Sequence, residues 1–195
     1  MEFSTVLRRR RMVRAFSDRP VDDAVLRRLL RAAQRAPSAG HTQPLELVVV
    51  RDPAVRRELS LASWSRGARP EAGALTVVFC GDLAREAERY GARGAGKYLY
   101  MDVGYAALLF MLSAVDAGLA CAFIGDFHEE HVQAALGLPP RIVPVGMVIV
   151  GHGDEAPRPR PWRPVREIVH YERYSPAYDW SGRNLPPRRE VAGGG

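Results

Sequence analysis

Residues 36–50, APSAGHTQPLELVVV, decide how the chain folds, because a helix pattern ends on one side of them and a strand pattern begins on the other. Pro37 disfavours a helical conformation at Ala36, so we predict that the preceding helix ends there. The leucines and β-branched valines that follow predict a largely buried strand over 45–50. The Pro37 loop (residues 37–44) is small and polar, which lets main chain approach a flat ligand closely. An ordinary helix-to-strand connection is the alternative interpretation.

Helix and strand patterns alternate along most of the chain around the Pro37 loop. Apolar residues at helical spacing after Asp22, a suitable N-cap, predict the helix that leads into the loop. Further strands are predicted over 75–80, 119–124 and 143–150, and further helices over 53–63, 83–90, 98–117 and 128–136. The alternation alone is typical of a doubly wound parallel sheet. However, no Gly-x-Gly-x-x-Gly follows the strands at 45–50 and 75–80, so the dinucleotide fold lacks its fingerprint.

The helix predicted over 98–117 has almost no polar face. A helix of this kind is buried on several sides, and in a protein of this size a second subunit is the natural additional cover. Gly118 is placed to end the helix in the left-handed conformation. Farther along the chain, Asp126 is expected to cap the helix over 128–136.

Residues 91–98, GARGAGKY, partly match a phosphate-binding loop. Tyr98 stands where the pattern needs a Ser or Thr to hold magnesium. A phosphate-binding loop also follows its strand directly, whereas a charged, helix-like stretch over 83–90 intervenes here. We therefore predict a mobile loop that leads into the next helix, with a nucleoside triphosphate hydrolase as the alternative.

The formal net charge of +6 comes from arginine, since Lys97 is the only lysine. Basic clusters lie over 8–14 and 158–166, and no recognised nucleic-acid-binding signature accompanies them. We therefore expect anionic small ligands and no nucleic-acid partner. A basic protein that binds nucleic acid without sequence preference is the alternative.

Hydrophobic residues make up 47% and charged residues 26% of the 195 residues, as in an ordinary globular protein. Cys80 and Cys121 lie far apart in apolar runs, so we expect buried thiols in a reducing cytoplasm and no metal site. The first residues lack the apolar core of a signal peptide. The longest apolar stretch, 103–115, is shorter than the roughly 20 residues of a membrane span, so we expect no membrane contact.

The composition changes after residue 151. Prolines and arginines alternate over 157–164, which predicts an extended arm rather than a helix. We expect residues 1–195 to form a single domain in which 152–195 is a C-terminal arm. An ordered arm of this length needs a surface to lie on, and a partner subunit is one way to supply it.

Four motifs occur in order along the chain. They are RRMVRAF at 10–16, APSAGHTQPL at 36–45, GLACAFIGDF with LGLP at 118–127 and 136–139, and VPVGMVIVG at 143–151 with RPWRP at 160–164 and EIVHY at 167–171. Each motif alone carries little weight, but their common order covers nearly the whole chain. Together they resemble the nitroreductase family of FMN-dependent oxidoreductases.

This resemblance implies an α+β fold, a nitroreductase-like three-layer α/β/α sandwich with a central mixed sheet, assembled as an intertwined homodimer. Two FMN sites would lie in the dimer interface, and the C-terminal arm would reach across to the other subunit. These expectations account for both the apolar helix over 98–117 and the long tail.

The resemblance also implies a set of cofactor-binding residues. They are Arg10, Arg11, Arg14, Pro37, Ser38, Ala39, His41, Ile124, Gly125, Asp126, Arg160 and Arg163. Arg10 and Arg14 would hold the phosphate, the ribityl chain and the pyrimidine side of FMN. Arg160, with Arg163, would return from the arm to the phosphate. The Pro37 loop would come from the partner subunit and pack on the flavin ring, and the main chain of 124–126 would lie at flavin N5 and O4.

By the same resemblance the protein would be an FMN-dependent NAD(P)H oxidoreductase with a ping-pong mechanism. Hydride from NADH or NADPH would arrive at flavin N5, and an electron-poor small molecule such as a nitroaromatic or a quinone would then be reduced at the same face. No side chain is expected to act as a catalytic acid or base. A non-catalytic FMN-binding or storage protein is the alternative, because Met12 and His41 stand where the family has Ser and Asn.

Overall fold

The structure is a computed structural model that describes residues 1–64, 67–156 and 161–174. The chain divides into two compact units, Met1–Pro157 and Arg158–Gly195. The described residues of the second unit contain a 3-10 turn at Val165–Glu167. All other helices and strands given below belong to the first unit.

A five-stranded sheet forms the centre of the first unit. Its strands are β1 (Phe16–Ser17), β2 (Leu45–Val50), β3 (Leu75–Asp82), β4 (Ala120–Ile124) and β5 (Ile142–Gly153). Their order is β1-β5-β3-β2, and β4 also pairs with β5. The ladders between these strands are antiparallel, and a bridge between Met12 and Cys121 adds a parallel contact.

The helices alternate with the strands much as the sequence predicts. The described part of the chain has α1 (Phe3–Arg9), α2 (Asp23–Gln34), α3 (Pro53–Leu61), α4 (Leu83–Arg93), α5 (Leu99–Asp116) and α6 (Glu129–Leu136). The predicted N-cap of α2 is confirmed, because the Asp22 carboxylate accepts a hydrogen bond from Ala24 N at 2.7 Å, and Gly118 after α5 has the predicted left-handed conformation, with a φ of 76°. Short 3-10 turns occur at Ala39–His41 and Pro70–Ala72.

Helices cover both faces of the sheet, because successive side chains along a strand point to opposite sides. Leu75, Val77 and Phe79 of β3 belong to a buried cluster shared with α2 and α5. Val78 and Cys80 belong to a second cluster, shared with α3 and α6. All of β3 is buried, as expected for a strand with neighbours on both sides. The predicted α+β class and three-layer α/β/α arrangement are confirmed.

The prediction of a mobile loop over 91–98 is wrong. Gly94–Tyr98 form a π-helical turn that joins α4 to α5, so the segment is helical. Its glycines suggest a loop, but Gly94 is buried and a Cβ there would clash with the carbonyl oxygen of Glu86. The glycine is therefore required by close packing and not by a turn.

The prediction that Asp126 caps α6 is also wrong. The N-cap of α6 is His128, which makes no side-chain capping bond. The carbonyl of Asp126 instead accepts a hydrogen bond from Trp64 N at 3.1 Å. This main-chain hydrogen bond comes from a residue far away in sequence and holds the turn before α6 in place.

One helical run, Leu83–Asp116, is long and apolar enough to cross a membrane by length and composition alone. However, 50% of its most apolar window is buried inside the protein. Within this run Val103, Ala106 and Phe110 have no exposed surface and pack in the cluster shared with the sheet. This burial is typical of the core helix of a globular protein.

Candidate functional site

The arginine segment (residues 10–14) lies beside β4. Val13 N donates a hydrogen bond to Cys121 O at 3.1 Å, and Phe123 N donates one to the Met12 sulfur at 3.4 Å. The Met12 side chain also packs against the core. A long apolar side chain at this position therefore has a structural role in seating the segment on the sheet.

The three predicted ligands in this segment have different surroundings. Arg10 is half-buried and lies close enough to Cys121 to oppose the rise, to about 11, that burial causes in the pKa of that thiol. Arg11 Nη1 donates to the carbonyl oxygens of Arg8 and Arg10 at 2.6 and 2.8 Å, so its guanidinium serves the C-terminus of α1. Within the described ranges, no carboxylate pairs with the guanidinium of Arg10 or Arg14.

Glu155 anchors the same segment, although no sequence pattern indicated this contact. Its Oε1 atom accepts hydrogen bonds from Arg14 N and from Ala15 N, the second at 3.2 Å. The neighbouring Asp154 N donates to Ala15 O at 2.9 Å. These contacts tie the main chain around Arg14 to the residues that follow β5. A glutamate beyond a strand end has no pattern that would predict such a contact.

The predicted ligands at 124–126 form a turn at the end of β4. Ile124 is buried, whereas Gly125 and Asp126 are exposed. The Asp126 carbonyl accepts from Trp64 N, so the turn is held on one side by the segment after α3. β4 carries this turn and also contacts the arginine segment. The predicted ligands of the turn and those of the arginine segment therefore lie next to the same strand.

The Pro37 loop has an unusual main-chain conformation. Gly40, His41 and Gln43 all have positive φ angles, of 52°, 61° and 53°. Residues other than glycine rarely adopt this left-handed conformation, so the surrounding contacts must hold it. One of them is internal, because Ser38 Oγ accepts a hydrogen bond from Gln43 N at 3.0 Å. The Ser38 hydroxyl therefore helps to close the loop.

Two buried carboxyl groups support the Pro37 loop from the protein side. Glu86 of α4 accepts a hydrogen bond from Thr42 Oγ1, and Asp102 of α5 accepts one from Ala39 N at 2.7 Å. Glu86 has no exposed surface, and Asp102 is also buried. Burial raises the pKa of Glu86, the Thr42 hydroxyl opposes that rise, and the neighbouring Asp102 carboxyl adds to it.

The helix α4 also holds the Pro37 loop from its solvent-facing side. Arg85 Nε donates to Thr42 O at 3.3 Å, and Arg89 Nη1 donates to Gly40 O at 3.0 Å. A Cβ on Gly40 would come close to the Tyr90 hydroxyl and to the Arg89 guanidinium, so a larger residue there would have to displace the ends of these two side chains. A cleft of about 630 Å³ lies here, lined by Gly40, His41, Thr42, Arg85, Glu88 and Arg89.

The remaining predicted ligands belong to the C-terminal arm. Arg160 lies outside the described residues. Arg163, in the second unit, forms an ion pair with Glu167 at 3.8 Å and donates to the Glu167 carbonyl at 3.1 Å. That these arginines reach a cofactor phosphate stays a prediction.

The cysteines and histidines give no sign of metal or thiol chemistry in the part of the chain that the structure describes. No cluster of three or more His, Cys, Asp or Glu residues suited to a metal ion is found among those residues. Burial raises the pKa of the Cys80 thiol to about 12, and Glu46 adds to the rise. Both cysteines are free and buried, and buried thiols with raised pKa values are unreactive at neutral pH.

Comparison with known proteins gives consistent matches over most of the chain. The sequence profile of the Nitroreductase family matches residues 7–152, which include the arginine segment, the Pro37 loop and the 124–126 turn. A protein of Thermus thermophilus named NADH dehydrogenase is 31% identical, over 87% of this chain and 95% of its own length. A Bacillus subtilis protein named FMN reductase (NADPH) is 26% identical, over 85% of this chain and 71% of its own.

Solved structures give the same picture. The NADPH:FMN oxidoreductase of Vibrio harveyi, solved with NAD+, superposes with a TM-score of 0.81 at 26% identity and covers 90% of this chain and 79% of its own. A nitroreductase family protein of Streptococcus pneumoniae superposes with a TM-score of 0.80 at 24% identity, over 87% of this chain and 100% of its own. The second match supports the fold alone.

Proposed function

The chain belongs to the nitroreductase family, and from that membership we propose that it reduces an electron-poor small molecule, such as a nitroaromatic or a quinone, by a ping-pong mechanism. It is an FMN-dependent NAD(P)H oxidoreductase. FMN, when bound, supplies the chemistry, by accepting hydride from NADH or NADPH at N5 and passing it to the acceptor. The observation that carries the proposal is that the family match over 7–152 contains every predicted ligand residue outside the C-terminal arm.

The arginine segment fits the anionic end of FMN. Arg10 and Arg14 carry guanidiniums that no carboxylate in the described ranges neutralises, and the planar guanidinium matches the oxygens of a phosphate. Glu155 and β4 hold the main chain of the segment, which reduces the entropy lost when a ligand binds. We assign Arg10 and Arg14 to the phosphate, the ribityl chain and the pyrimidine side. Arg11 contributes to the site indirectly, because its guanidinium binds main-chain carbonyl oxygens at the C-terminal end of α1, where the arginine segment begins.

The Pro37 loop fits a flat aromatic ring. Ala39 and Gly40 add little bulk, and Pro37 and His41 are exposed. Hydrogen bonds to buried groups of α4 and α5 hold the loop, which reduces the conformational entropy that it loses when a ring binds. We assign this surface to the face of the flavin ring and the exposed main chain of the 124–126 turn to its polar edge.

We propose that two copies of the chain pair through α5. Tyr100, Met101, Tyr105 and Leu108 are 51%, 42%, 41% and 45% exposed, although all are large and largely apolar. Gly104 lies among them, and a Cβ there would meet nothing within 4 Å. An apolar face around a glycine allows a second helix to approach closely. In this dimer the Pro37 loop of each subunit would serve the flavin of the other.

The remaining parts of the proposal concern the arm and the location. Residues 1–195 would form one FMN-binding domain whose segment 152–195 extends to the partner subunit and carries Arg160 and Arg163. Free, buried Cys80 and Cys121 suit a reducing cytoplasm. The partners would be a second copy of the chain and a small acceptor, without nucleic acid or membrane.

Absorbance spectroscopy tests the proposal. The purified protein should be yellow or take up FMN, anaerobic NADH or NADPH should bleach the flavin band, and a nitroaromatic or quinone should restore it. Ser38→Trp should abolish FMN binding with an unchanged far-ultraviolet circular dichroism spectrum, whereas Ser4→Trp on exposed α1 should bind FMN like the wild type.

The same assay separates the alternative. Bound flavin that neither nicotinamide bleaches would favour a non-catalytic FMN-binding protein, which the departures at Met12 and His41 motivate. A colourless protein that takes up no FMN would contradict both functions.

A further inference from the structure

We propose that the cleft between the Pro37 loop and α4 binds an anionic group, a phosphate or a carboxylate, that the electron donor or the acceptor carries. The inference rests on the proposed function, because the cleft shares Gly40, His41 and Thr42 with the loop assigned to the flavin. A ligand seated in this cleft would therefore contact the same short segment that is assigned to the cofactor.

The cleft has an excess of positive charge. Arg85 and Arg89 stand four residues apart on α4, so they lie on the same face of the helix. No ion-pair partner of either arginine is found within residues 1–64, 67–156 and 161–174. Glu88 is the acidic residue in the lining, which also contains the imidazole of His41. Two guanidiniums against one carboxylate leave charge for a bound anion.

Both guanidiniums are already oriented. Arg85 is bonded to the carbonyl of Thr42 and Arg89 to the carbonyl of Gly40, and each of these bonds uses one of the five N–H groups of a guanidinium. The Arg89 guanidinium also lies 5.6 Å from the centroid of the Tyr90 ring. Side chains held in this way lose less entropy when an anion binds than free ones do.

The size and exposure of the cleft determine what kind of binding to expect. About 630 Å³ is within the range of small-molecule sites and accommodates an aromatic acid or part of a nucleotide. Arg85 and Arg89 are exposed, so solvent and salt weaken their attraction for an anion. We therefore expect selectivity between charged and neutral substrates of about tenfold rather than tight binding.

Two substrates supply the required chemistry, namely the 2′-phosphate of NADPH and a carboxylate on the acceptor. A purely structural role is the competing explanation, in which Arg85 and Arg89 only hold the Pro37 loop. That role predicts equal losses for charged and neutral substrates, or loss of FMN itself. The two explanations therefore differ in a ratio that steady-state kinetics measures.

The experiment uses the FMN-loaded full chain as wild type, Arg85→Gln, Arg89→Gln and the double variant, with Arg57→Gln on exposed α3 as the charge-matched control. One arm compares kcat/KM for NADPH and NADH with a neutral acceptor. The other arm compares 4-nitrobenzoate and 4-nitrobenzyl alcohol with a single donor. FMN affinity is measured for each protein, and inorganic phosphate is tested as an inhibitor of the wild type.

A fall of about tenfold in one of the two ratios for the double variant, measured at saturating FMN and with the Arg57→Gln ratio unchanged, is the expected result, and the affected arm identifies the source of the anion. Unchanged ratios in both arms overturn the inference.

If the variants lose FMN or do not fold, the wild type decides. In that case, inhibition of the wild type by inorganic phosphate is compared with inhibition by chloride at equal ionic strength. Stronger inhibition by phosphate of the reaction with the charged member of one pair supports the inference, and equal inhibition by the two salts overturns it. A wild type that takes up no FMN overturns the proposed function as well, whereas active but unselective wild type overturns the inference alone.

Discussion

Glu86, a carboxyl group of α4 with no exposed surface, accepts a hydrogen bond from the Thr42 hydroxyl of the Pro37 loop. Asp102 of α5 supports the same loop through Ala39 N. The conformation of the loop assigned to the flavin thus depends on two buried carboxyl groups of the helices below it. Because one of them has a perturbed pKa, the stability of this region should depend on pH.

We predict that Glu86→Gln changes the pH dependence of unfolding. Burial, with a further contribution from Asp102 and against that of Thr42, raises the pKa of Glu86 above its usual value of 4.5. A carboxyl group with a raised pKa stabilises the fold fully below its unfolded pKa, and this contribution is lost as the pH rises through the folded pKa. As the pH rises from about 4.5 to about 8, the free energy of unfolding measured with urea should therefore increase in the variant relative to the wild type.

The control for this prediction is Glu58→Gln, which changes an exposed glutamate of α3. Its free energy of unfolding should stay parallel to that of the wild type across the whole pH range. A Glu86→Gln protein that also stays parallel would mean that Glu86 is ionised in the folded protein at every pH tested.

We predict that His41 tolerates asparagine and not valine. His41 has a φ of 61°, and Asn adopts the left-handed conformation more readily than most residues, whereas a β-branched residue is strongly disfavoured there. His41→Asn should keep or raise the free energy of unfolding, by up to about 1 kcal/mol, and His41→Val should lower it by about 1–3 kcal/mol. His131→Val on α6 is the control, and an equal loss in both valine variants would remove the backbone explanation.

We predict opposite outcomes for alanine at two glycines of the π-helical turn. A Cβ at Gly94 would clash with main chain of Glu86, whereas a Cβ at Gly96 would meet nothing within 4 Å. Gly94→Ala should therefore lower stability by about 1–3 kcal/mol, and Gly96→Ala should raise it by up to about 1 kcal/mol. Thermal unfolding measures both. A mobile loop would give two neutral substitutions.

The sequence predicted the strands and the limits of the Pro37 loop because their signals are local. Runs of β-branched residues mark β2, β3 and β5, and Pro37 restricts its own neighbour. The prediction that β2 is largely buried is wrong, because β2 lies at the edge of the sheet and Val50 is its one buried residue. The same local logic predicted the N-cap Asp22. The family resemblance then supplied what spacing alone did not, namely the FMN.

The sequence did not predict the support of the loop, because its contacts join distant residues. Thr42 and Glu86 are 44 positions apart, and Ala39 and Asp102 are 63 apart. Acidic residues in a helix usually face solvent, so nothing in the pattern marks which one is buried. The wrong prediction for 91–98 has the same cause. Gly94 packs against Glu86 in a tertiary contact, but in the sequence alone a glycine at this position indicates a loop.

We predict that Glu155→Ala weakens FMN binding without contacting the cofactor. The change removes the acceptor for Arg14 N and Ala15 N, so the arginine segment loses its tie to the end of β5. Losing one or two such hydrogen bonds should lower FMN affinity several-fold. Glu155→Gln keeps an oxygen acceptor and should retain most of the affinity. Equal FMN affinity in wild type and Glu155→Ala, measured by fluorescence titration, would show that the segment holds its shape without this carboxylate.

We predict that Gly104→Ala and Leu108→Glu weaken the dimer while leaving the single subunit intact. Within one chain a Cβ at Gly104 meets nothing within 4 Å, and Leu108 is already 45% exposed, so neither change disturbs the core. In a dimer built on this face the methyl group would keep the helices apart, and the buried carboxylate would have no partner. Sedimentation velocity should show a fully dimeric wild type, partial dissociation for Gly104→Ala and a monomer for Leu108→Glu.

The FMN affinity of these variants connects the interface to the site. If the Pro37 loop serves the flavin of the partner subunit, the Leu108→Glu monomer should lose FMN although its circular dichroism spectrum is unchanged. Arg57→Gln, a charge change of the same size on exposed α3, should remain dimeric and yellow. Leu108→Glu protein that is monomeric and still binds FMN with wild-type affinity would place the whole cofactor site within one chain and remove the partner subunit from it.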